Sequence, residues 1–497
     1  MFKRNSMNKL CTLAIICCLS ITSAFAADEI KYEKEILKAI KQNKIENLTE
    51  DYINQVQELA CKQAYDKKEV IKALKTVDYL IKITQKFYGT NSQELARAYA
   101  QKADILSSFG SPSEAINAIK EAEKHAFLNL QNEEDANYIK NSYKHLYLQI
   151  EQPTKAKEYT TTESDKNQKI LTEIQYLKNV DQYKKAIKKL KTLEKTALET
   201  NNKDLLADIY VIFLDIYKNS NNYKEVLNYL EKAEKLEKEY DYLKYPIVDT
   251  KSNYYKEFSE YKKAKEIILT NFPTKTEQEK AAVYDMLYDI DKTANNIELS
   301  LEYVKFIDNF YSQKYPKNSI ERTKFIYDKY LAVYKDLNNK KKAEEYFKKI
   351  EELIVPEKEI APILYANYLV ERAHFNGYID NHEKAKEAFE QAISIYEKIE
   401  PSKHILAEVY GYYAEYNFYE NNKIGFKYIK KAIKHNKKYY SNSNKTLADF
   451  YEKLIKFYAE TGNNKKAQKY LNKTIALYTQ MYGENNIKTI EKKKIQL

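Results

Sequence analysis

Apolar residues return at steps of three and four through nearly the whole chain, with acids and lysines between them. Over residues 361–398, Leu369, Ala373, Ala385, Phe389 and Ala392 fall on inward faces, separated by Glu383, Lys384, Lys386 and Glu387. That spacing predicts amphipathic helices. The following stretches repeat it with Tyr413, Tyr416, Gly425, Ile429 and Ala432, then with Tyr451, Ile455, Tyr458, Ala467 and Leu471. No glycine lies between Gly110 and Gly377. An all-β chain needs turn residues about every 8–12 positions, so that class is excluded.

A small residue recurs roughly every forty positions, at Ala73, Ala115, Ala156, Ala186, Val226, Ala264, Ser300, Ala343, Ala385, Gly425 and Ala467. Asn-rich breaks precede many of these slots, as at Asn219-Ser220-Asn221-Asn222, Asn338-Asn339, Asn421-Asn422 and Gly462-Asn463-Asn464. Asparagine tolerates the left-handed backbone that closes a helix, so these breaks predict tight turns between two helices. Pro273, Pro316, Pro356 and Pro401 fall between the helix pairs, where a residue that cannot continue a helix does no harm. A fixed period of this length signals stacked helix pairs rather than one core. A small side chain at each crossing lets the two helices approach, and a bulky one would overpack it by about 1–3 kcal/mol.

The order of slots resembles the tetratricopeptide repeat. Tyr99, Ala103, Leu106, Ala115, Ile119 and Ala122 match it, as do Tyr327, Leu331, Tyr334, Ala343, Phe347 and Ile350, with Pro356 following. The frequent longer step is similar to the extended repeat of kinesin-light-chain-like arrays. Phe87-Tyr88-Gly89-Thr90-Asn91 and Met481-Tyr482-Gly483-Glu484-Asn485 echo its linker. The resemblance implies an all-α, right-handed α-solenoid of stacked antiparallel helix pairs, about ten or eleven of them. The expected organisation is a leader over 1–26, a leading helix over 27–47 and a first array over 48–160. An irregular break over 161–167, a second array over 168–483 and a closing helix over 484–497 complete it. The break rests on the short step from Ala156 to Ala186 and on the polar run Thr160-Thr161-Thr162-Glu163-Ser164-Asp165.

The leader is read from Lys3, Arg4 and Lys9, the apolar run Leu10 to Ile21, and the small-x-small site Ala24-Phe25-Ala26, which predicts export and a mature start at Ala27. Read instead as an uncleaved anchor, the run is short for a span of ~20 residues. Beyond it the chain has one cysteine, Cys61, and so cannot form an internal disulfide. Cys61 stands twelve residues before Ala73, in the slot of Ala103 and Ala373, and is expected to be a buried small packer shielded from thiol reagents. The net charge is +11, and only four arginines occur. Arginine suits bidentate phosphate recognition. Its scarcity, together with export, points to a protein or peptide partner and away from nucleic acid.

The six histidines form no His-x-x-x-His pair, so no metal is expected. No glycine-rich phosphate loop and no Gly-x-Ser-x-Gly elbow occur, so neither cofactor nor catalysis is expected. The densest local signal is the aromatic run at residues 410–419. The resemblance implies ligand contacts on the first helix of each pair. Carried onto this chain, those positions give a partner groove at Tyr410, Phe418, His374 and Tyr378. It also implies that the chaperone-adaptor carboxylate clamp is missing, since Asp328 and Ala332, Val370 and His374, and Tyr410 and Ala414 stand where Lys and Asn would be. The functional expectation is an exported, non-catalytic scaffold or adaptor in the cell envelope, periplasmic, with oligomeric state open. Envelope or outer-membrane assembly, or secretion as an effector, are the alternatives, and a helical-repeat enzyme is the last of them.

Overall fold

The computed structural model describes residues 26–45, 48–126, 133–159, 166–220, 222–401, 403–418, 421–440, 445–484 and 486–495. The leader expected over 1–26 lies outside them except for its last residue. Among the described residues the chain is helical and has no strand. Among the described residues, α1 (Ala26–Gln42) precedes eleven helix pairs. The pairs are α2 (Glu50–Cys61) with α3 (Val70–Tyr88), α4 (Gln93–Phe109) with α5 (Pro112–Ala126), α6 (Glu133–Gln149) with α7 (Pro153–Ala156), and α8 (Lys166–Asn179) with α9 (Tyr183–Glu199). Next come α10 (Lys203–Asn219) with α11 (Tyr223–Glu237), α12 (Lys244–Glu257) with α13 (Tyr261–Asn271), α14 (Glu277–Thr293) with α15 (Ile297–Tyr311), and α16 (Phe325–Asp336) with α17 (Lys340–Ile354). The last are α18 (Pro362–Tyr378) with α19 (His382–Ile399), α20 (His404–Phe418) with α21 (Asn422–Tyr439), and α22 (Lys445–Glu460) with α23 (Asn464–Tyr482), before α24 (Ile487–Lys493). The stunted α7 accounts for the short step from Ala156 to Ala186.

The small-residue slot has one structural meaning throughout. It is always the fourth residue of the second helix, from Ala73 in α3 to Ala467 in α23. All eleven are buried, including the poorer matches Val226 and Ser300. Each slot's N–H closes the first helical turn, as Ala343 does on the Asn339 carbonyl at 3.0 Å and Ala385 on Asn381 at 3.1 Å.

The turn before it is built alike in most pairs. Five residues before the slot the backbone is left-handed, at Asp181 (φ 57°), Ser259 (62°), Asn295 (64°), Asn338 (52°), Asp380 (63°) and Gly462 (72°). The next residue donates its N–H back across the turn, as Asn339 does to the Tyr334 carbonyl at 2.8 Å and Asn381 to Asn376 at 2.8 Å. That is the bond pattern of a Schellman helix end. At Asn222, Asn339, Asn381, Asn421 and Asn463 the same residue then caps the second helix, as the Asn339 side chain accepts from Lys342 N–H and Asn463 from Lys466 N–H. Two residues thus end one helix and start the next, which is why asparagine dominates the breaks.

A second ladder explains part of the tyrosine excess. Three residues past the slot stand Tyr229, Tyr346, Tyr428 and Tyr470; six past it stand Lys232, Lys349, Lys431 and Lys473. Each ammonium lies over its ring, at 4.4, 4.3, 5.0 and 5.0 Å. Rings of the first helix stack on the same tyrosines, as Phe213 on Tyr229 at 4.0 Å and Tyr330 on Tyr346 at 4.4 Å.

By contact the chain divides into two units, residues 1–164 with 304–365 and residues 165–303 with 366–497. In the first, the later segment lies against turns of the earlier one. Ile71 N–H donates to the Lys314 carbonyl at 3.0 Å, Ser113 N–H and Oγ both donate to Glu357 at 2.9 and 2.8 Å, and Gln152 donates to the Ile360 carbonyl at 3.1 Å. In the second, His404 N–H donates to Asp181 at 2.7 Å, the Tyr440 hydroxyl donates to the Asn219 carbonyl at 3.1 Å, and Lys488 donates to Glu257 at 2.5 Å. Each unit therefore goes beyond neighbour-on-neighbour stacking.

Cys61 departs from expectation. It is half-buried, and Gln101 donates to its Sγ at 3.0 Å. The cause is a π-helical turn over Lys62–Asp66, which inserts one residue before the hairpin. The closing bond runs from Glu69 N–H to the Gln63 carbonyl, six residues apart rather than five. Counting back from Ala73 therefore misses by one, and the fully buried small residue is Ala60.

Candidate functional site

Tyr410 and Phe418 are packed between helices. Tyr410 is buried and donates to Glu397 at 2.5 Å, while Lys431 binds the same carboxylate at 3.0 Å. Burial pushes Glu397 up, but the bonds from Tyr410 and Lys431 outweigh it and leave it below the usual range. Phe418 is buried, stacked on Phe457 at 4.7 Å and edge-on to Phe426 at 5.6 Å. His374 and Tyr378 are half-exposed; His374 stands edge-on to Tyr412 at 4.6 Å and to Phe389 at 5.4 Å. Of the four groove positions, two are interhelix packing and two keep a face to solvent.

Ser108, His145 and Asp104 stand in the order of nucleophile, base and orienting acid, a grouping that sequence inspection misses because two helices supply it. Ser108 Oγ lies 3.3 Å from His145 Nε2, but Asp104 Oδ1 is 4.0 Å from His145 Nδ1. At that distance no hydrogen bond fixes the imidazole. Burial raises the Asp104 carboxyl to about 7, with the Ser142 hydroxyl acting the other way, and burial lowers His145 to about 4. An acid half-protonated near neutral pH is a poor support for an imidazolium, so the trio lacks the electrostatics of an acyl-transfer triad. No group of three His, Cys, Asp or Glu among the described residues could hold a metal ion. No described helix is long and apolar enough to cross a membrane.

One site with room for a ligand among the described residues lies at the turn ends of the last two pairs. A cleft of about 770 Å³ opens there, lined by Lys423, Phe426, Lys427 and Lys430 of α21, Tyr458 of α22 and Lys466 of α23, among others. Its volume falls in the range of about 300–1,000 Å³ usual for ligand pockets. Phe426 lies 5.5 Å from Tyr458 and 4.9 Å from Phe457, so the rings form a packed floor. Lys466 stands over Tyr458 at 5.2 Å. Asn421 and Asn463 cap the two helices that begin at its mouth. Periodicity could not reveal this cleft, because adjacent pairs form its walls. The one sequence signal was α21 itself, with seven lysines and no acid.

A tetratricopeptide-repeat family profile matches residues 366–399. No curated protein matches the sequence. Among solved structures, the human IFIT1 dimer with m7Gppp-AAAA is similar at 15% identity, covering 92% of this chain and 96% of that one with a TM-score of 0.37. Yeast Tom70 is similar at 12% identity, covering 94% of each chain with a TM-score of 0.38. BtubC from P. vanneervenii is similar at 14% identity over 42% of this chain and 84% of its own, with a TM-score of 0.34. The profile match falls on α18 and α19, and the same slot, turn and cap recur in pairs before and after it. Residues 366–399 therefore carry a tetratricopeptide repeat, and helix pairs of the same build, drawn out to a longer step, flank it on both sides.

Proposed function

We propose that this protein is an exported, non-catalytic scaffold or adaptor that holds a protein or peptide partner in the cell envelope. The observation that carries the reading is the open, lysine-rimmed cleft on a frame of repeated helix pairs. Export is supported by the basic, apolar and small-x-small order of residues 1–26. Periplasmic residence is the preferred destination, ahead of secretion. Against catalysis stands the chemistry of the Ser108 trio, whose acid neither touches nor supports its histidine.

The test is expression of the full chain in its own cell with a C-terminal tag, followed by fractionation, N-terminal sequencing and crosslinking within each fraction. The expected result is a mature start at Ala27 in the periplasmic fraction and a stoichiometric crosslinked protein partner. An uncleaved chain in the cytosol overturns export. A chain found only in the medium overturns periplasmic residence.

A further inference from the structure

We infer that the cleft and the lysine face beside it form a docking site for an acidic peptide segment with an aromatic or large apolar anchor. This rests on the scaffold reading above and names the chemistry of the partner. The site is built from the start of α21, the end of α22 and the start of α23, with the buried Phe418 packed beneath its floor.

The charge is arranged rather than merely abundant. On α21, Lys423, Lys427, Lys430, Lys434 and Lys437 follow steps of four, three, four and three, and all five are exposed. That is one stripe on a helix face, about 21 Å long at 1.5 Å per residue. Helix α23 adds Lys465, Lys466, Lys469 and Lys473, again with no acid. On α17 the lysines are balanced: it carries Glu344, Glu345, Glu351 and Glu352 among them, and Glu345 takes ion pairs from Lys342 and Lys349 at 2.8 and 2.9 Å. On α21, Lys431 is paired, to Glu397 at 3.0 Å, and it lies off the stripe. The lysines also crowd one another. Lys437 stands over Tyr451 at 5.7 Å and Lys473 over the same ring at 5.6 Å. Lys473 is held below the ordinary lysine value by burial and then by Lys437 and Lys469.

The shape selects among anions. Four lysines surround a recess whose floor is Phe426 and Tyr458. Carboxylates reach the rim while a ring or large apolar side chain fills the recess. A bilayer surface cannot enter a recess, and it would use the whole stripe equally. Single-stranded nucleic acid stacks successive bases on open ring faces. Here one face of Tyr458 is taken by Tyr470 at 5.9 Å and 9°, and Phe426 packs on Phe457 and Tyr458, which leaves room for a single anchor rather than a run of bases. Lysine in place of arginine fits carboxylates on a flexible chain better than bidentate phosphate contacts.

Fluorescence anisotropy of the full chain with labelled dodecapeptides tests this. The probes are a Glu/Asp-rich peptide with a central Phe, the same peptide with Ala for Phe, and a neutral Gln/Asn version with Phe. The acidic Phe peptide is expected to bind at least tenfold tighter than either other peptide, with affinity falling as salt rises from 50 to 300 mM. The triple variant Lys423→Glu, Lys427→Glu, Lys466→Glu, checked for unchanged helicity, is expected to lose that binding at least tenfold. Lys340→Glu with Lys341→Glu on α17 should leave it unaltered. Wild-type affinity in the triple variant overturns the site. So does equal or tighter binding of anionic phosphatidylglycerol vesicles or an oligo-uridine, which makes the face a general polyanion or nucleic-acid surface. If the triple variant keeps its crosslinked cellular partner, the cleft assignment fails while the scaffold reading stands.

Discussion

Gly425 occupies the slot that is alanine in most other pairs, and replacing it with alanine sets two effects against each other. Glycine inside a helix is worse than alanine by roughly 0.5–1 kcal/mol, so propensity alone makes Gly425→Ala stabilising. The structure opposes this. A Cβ at position 425 would stand 2.5 Å from Phe418 Cδ1, with the Ala414 carbonyl oxygen and Phe418 Cα each at 3.1 Å. The ring cannot swing away freely, because Phe418 is buried against Phe457 at 4.7 Å. Two of the three contacts are backbone, so α20 and α21 must separate or the ring must leave its rotamer. Overpacking of this kind costs about 1–3 kcal/mol. The packing term wins, and Gly425→Ala should lose a net ~1–2 kcal/mol on these magnitudes.

The assay is urea unfolding followed by far-UV circular dichroism, with hydrogen exchange of the α20 and α21 amides to localise the loss. A second variant gives the reasoning its cycle. Phe418→Leu removes the ring that the new methyl meets, so Gly425→Ala should cost less in that background, with a favourable coupling of about 0.5 kcal/mol or more. A Gly425→Ala protein that is more stable than wild type, or a cycle with no coupling, refutes the reasoning.

The π turn after α2 predicts that Ala60→Leu costs about 1–3 kcal/mol while Cys61→Leu costs much less; the two urea midpoints decide it, and the reverse order would restore Cys61 to the packing slot. Tyr440→Ala should cost about 3–5 kcal/mol, because the side chain is buried, packs at a tilt on Tyr183 at 4.5 Å and donates to the Asn219 carbonyl; exchange should quicken in the 181–219 segment as well as around 440, and a loss confined to α21 and α22 would count against the long-range contact. Glu408 is raised to about 7 from 4.5, by burial first and then by the Asp449 charge, with the Thr446 hydroxyl acting the other way. The native state then holds more protons than the unfolded one across that window, so stability falls as pH rises through it; Glu408→Gln should flatten that fall and stabilise above pH 7, and identical pH dependence of the urea midpoint in both proteins would exclude the group.

Much of this fold is visible in the sequence because its rules are local. The slot, the left-handed turn residue and the asparagine cap lie within six residues of each other, and each leaves a compositional mark. Ala343, Asn338 and Asn339 show it in one line of text. Cys61 was misplaced because a π turn changes the count without changing the composition. The family's spacing points to Tyr410 and Phe418 as groove residues because an aromatic on a first helix has the same spacing whether it faces a neighbouring helix or solvent. Only the neighbours, Glu397 and Lys431 in one case and Phe457 and Phe426 in the other, decide. The cleft and the contacts joining distant segments have no periodic signature, because they depend on which pairs meet.

Those contacts bear on how the cleft is held. In an array whose pairs touch only their neighbours, stability is a sum of local terms and terminal pairs fray first. The last pairs of the second unit are not left to that fate. Tyr440, in the linker after α21, is fixed on Tyr183, His404 and the Asn219 carbonyl. Tyr482, at the end of α23, bonds Glu257, and Lys488 bonds the same carboxylate. Both ties lie at the linker ends of the helices. The cleft opens at their opposite ends, around Asn422 to Lys430 and Tyr458 to Lys466. Its walls are thus anchored far from the mouth and unobstructed at it. Anchoring lowers the ordering cost of binding, while the mouth stays open to a chain. Loosening Tyr440 or Tyr482 should therefore weaken peptide binding without touching a single lysine of the rim.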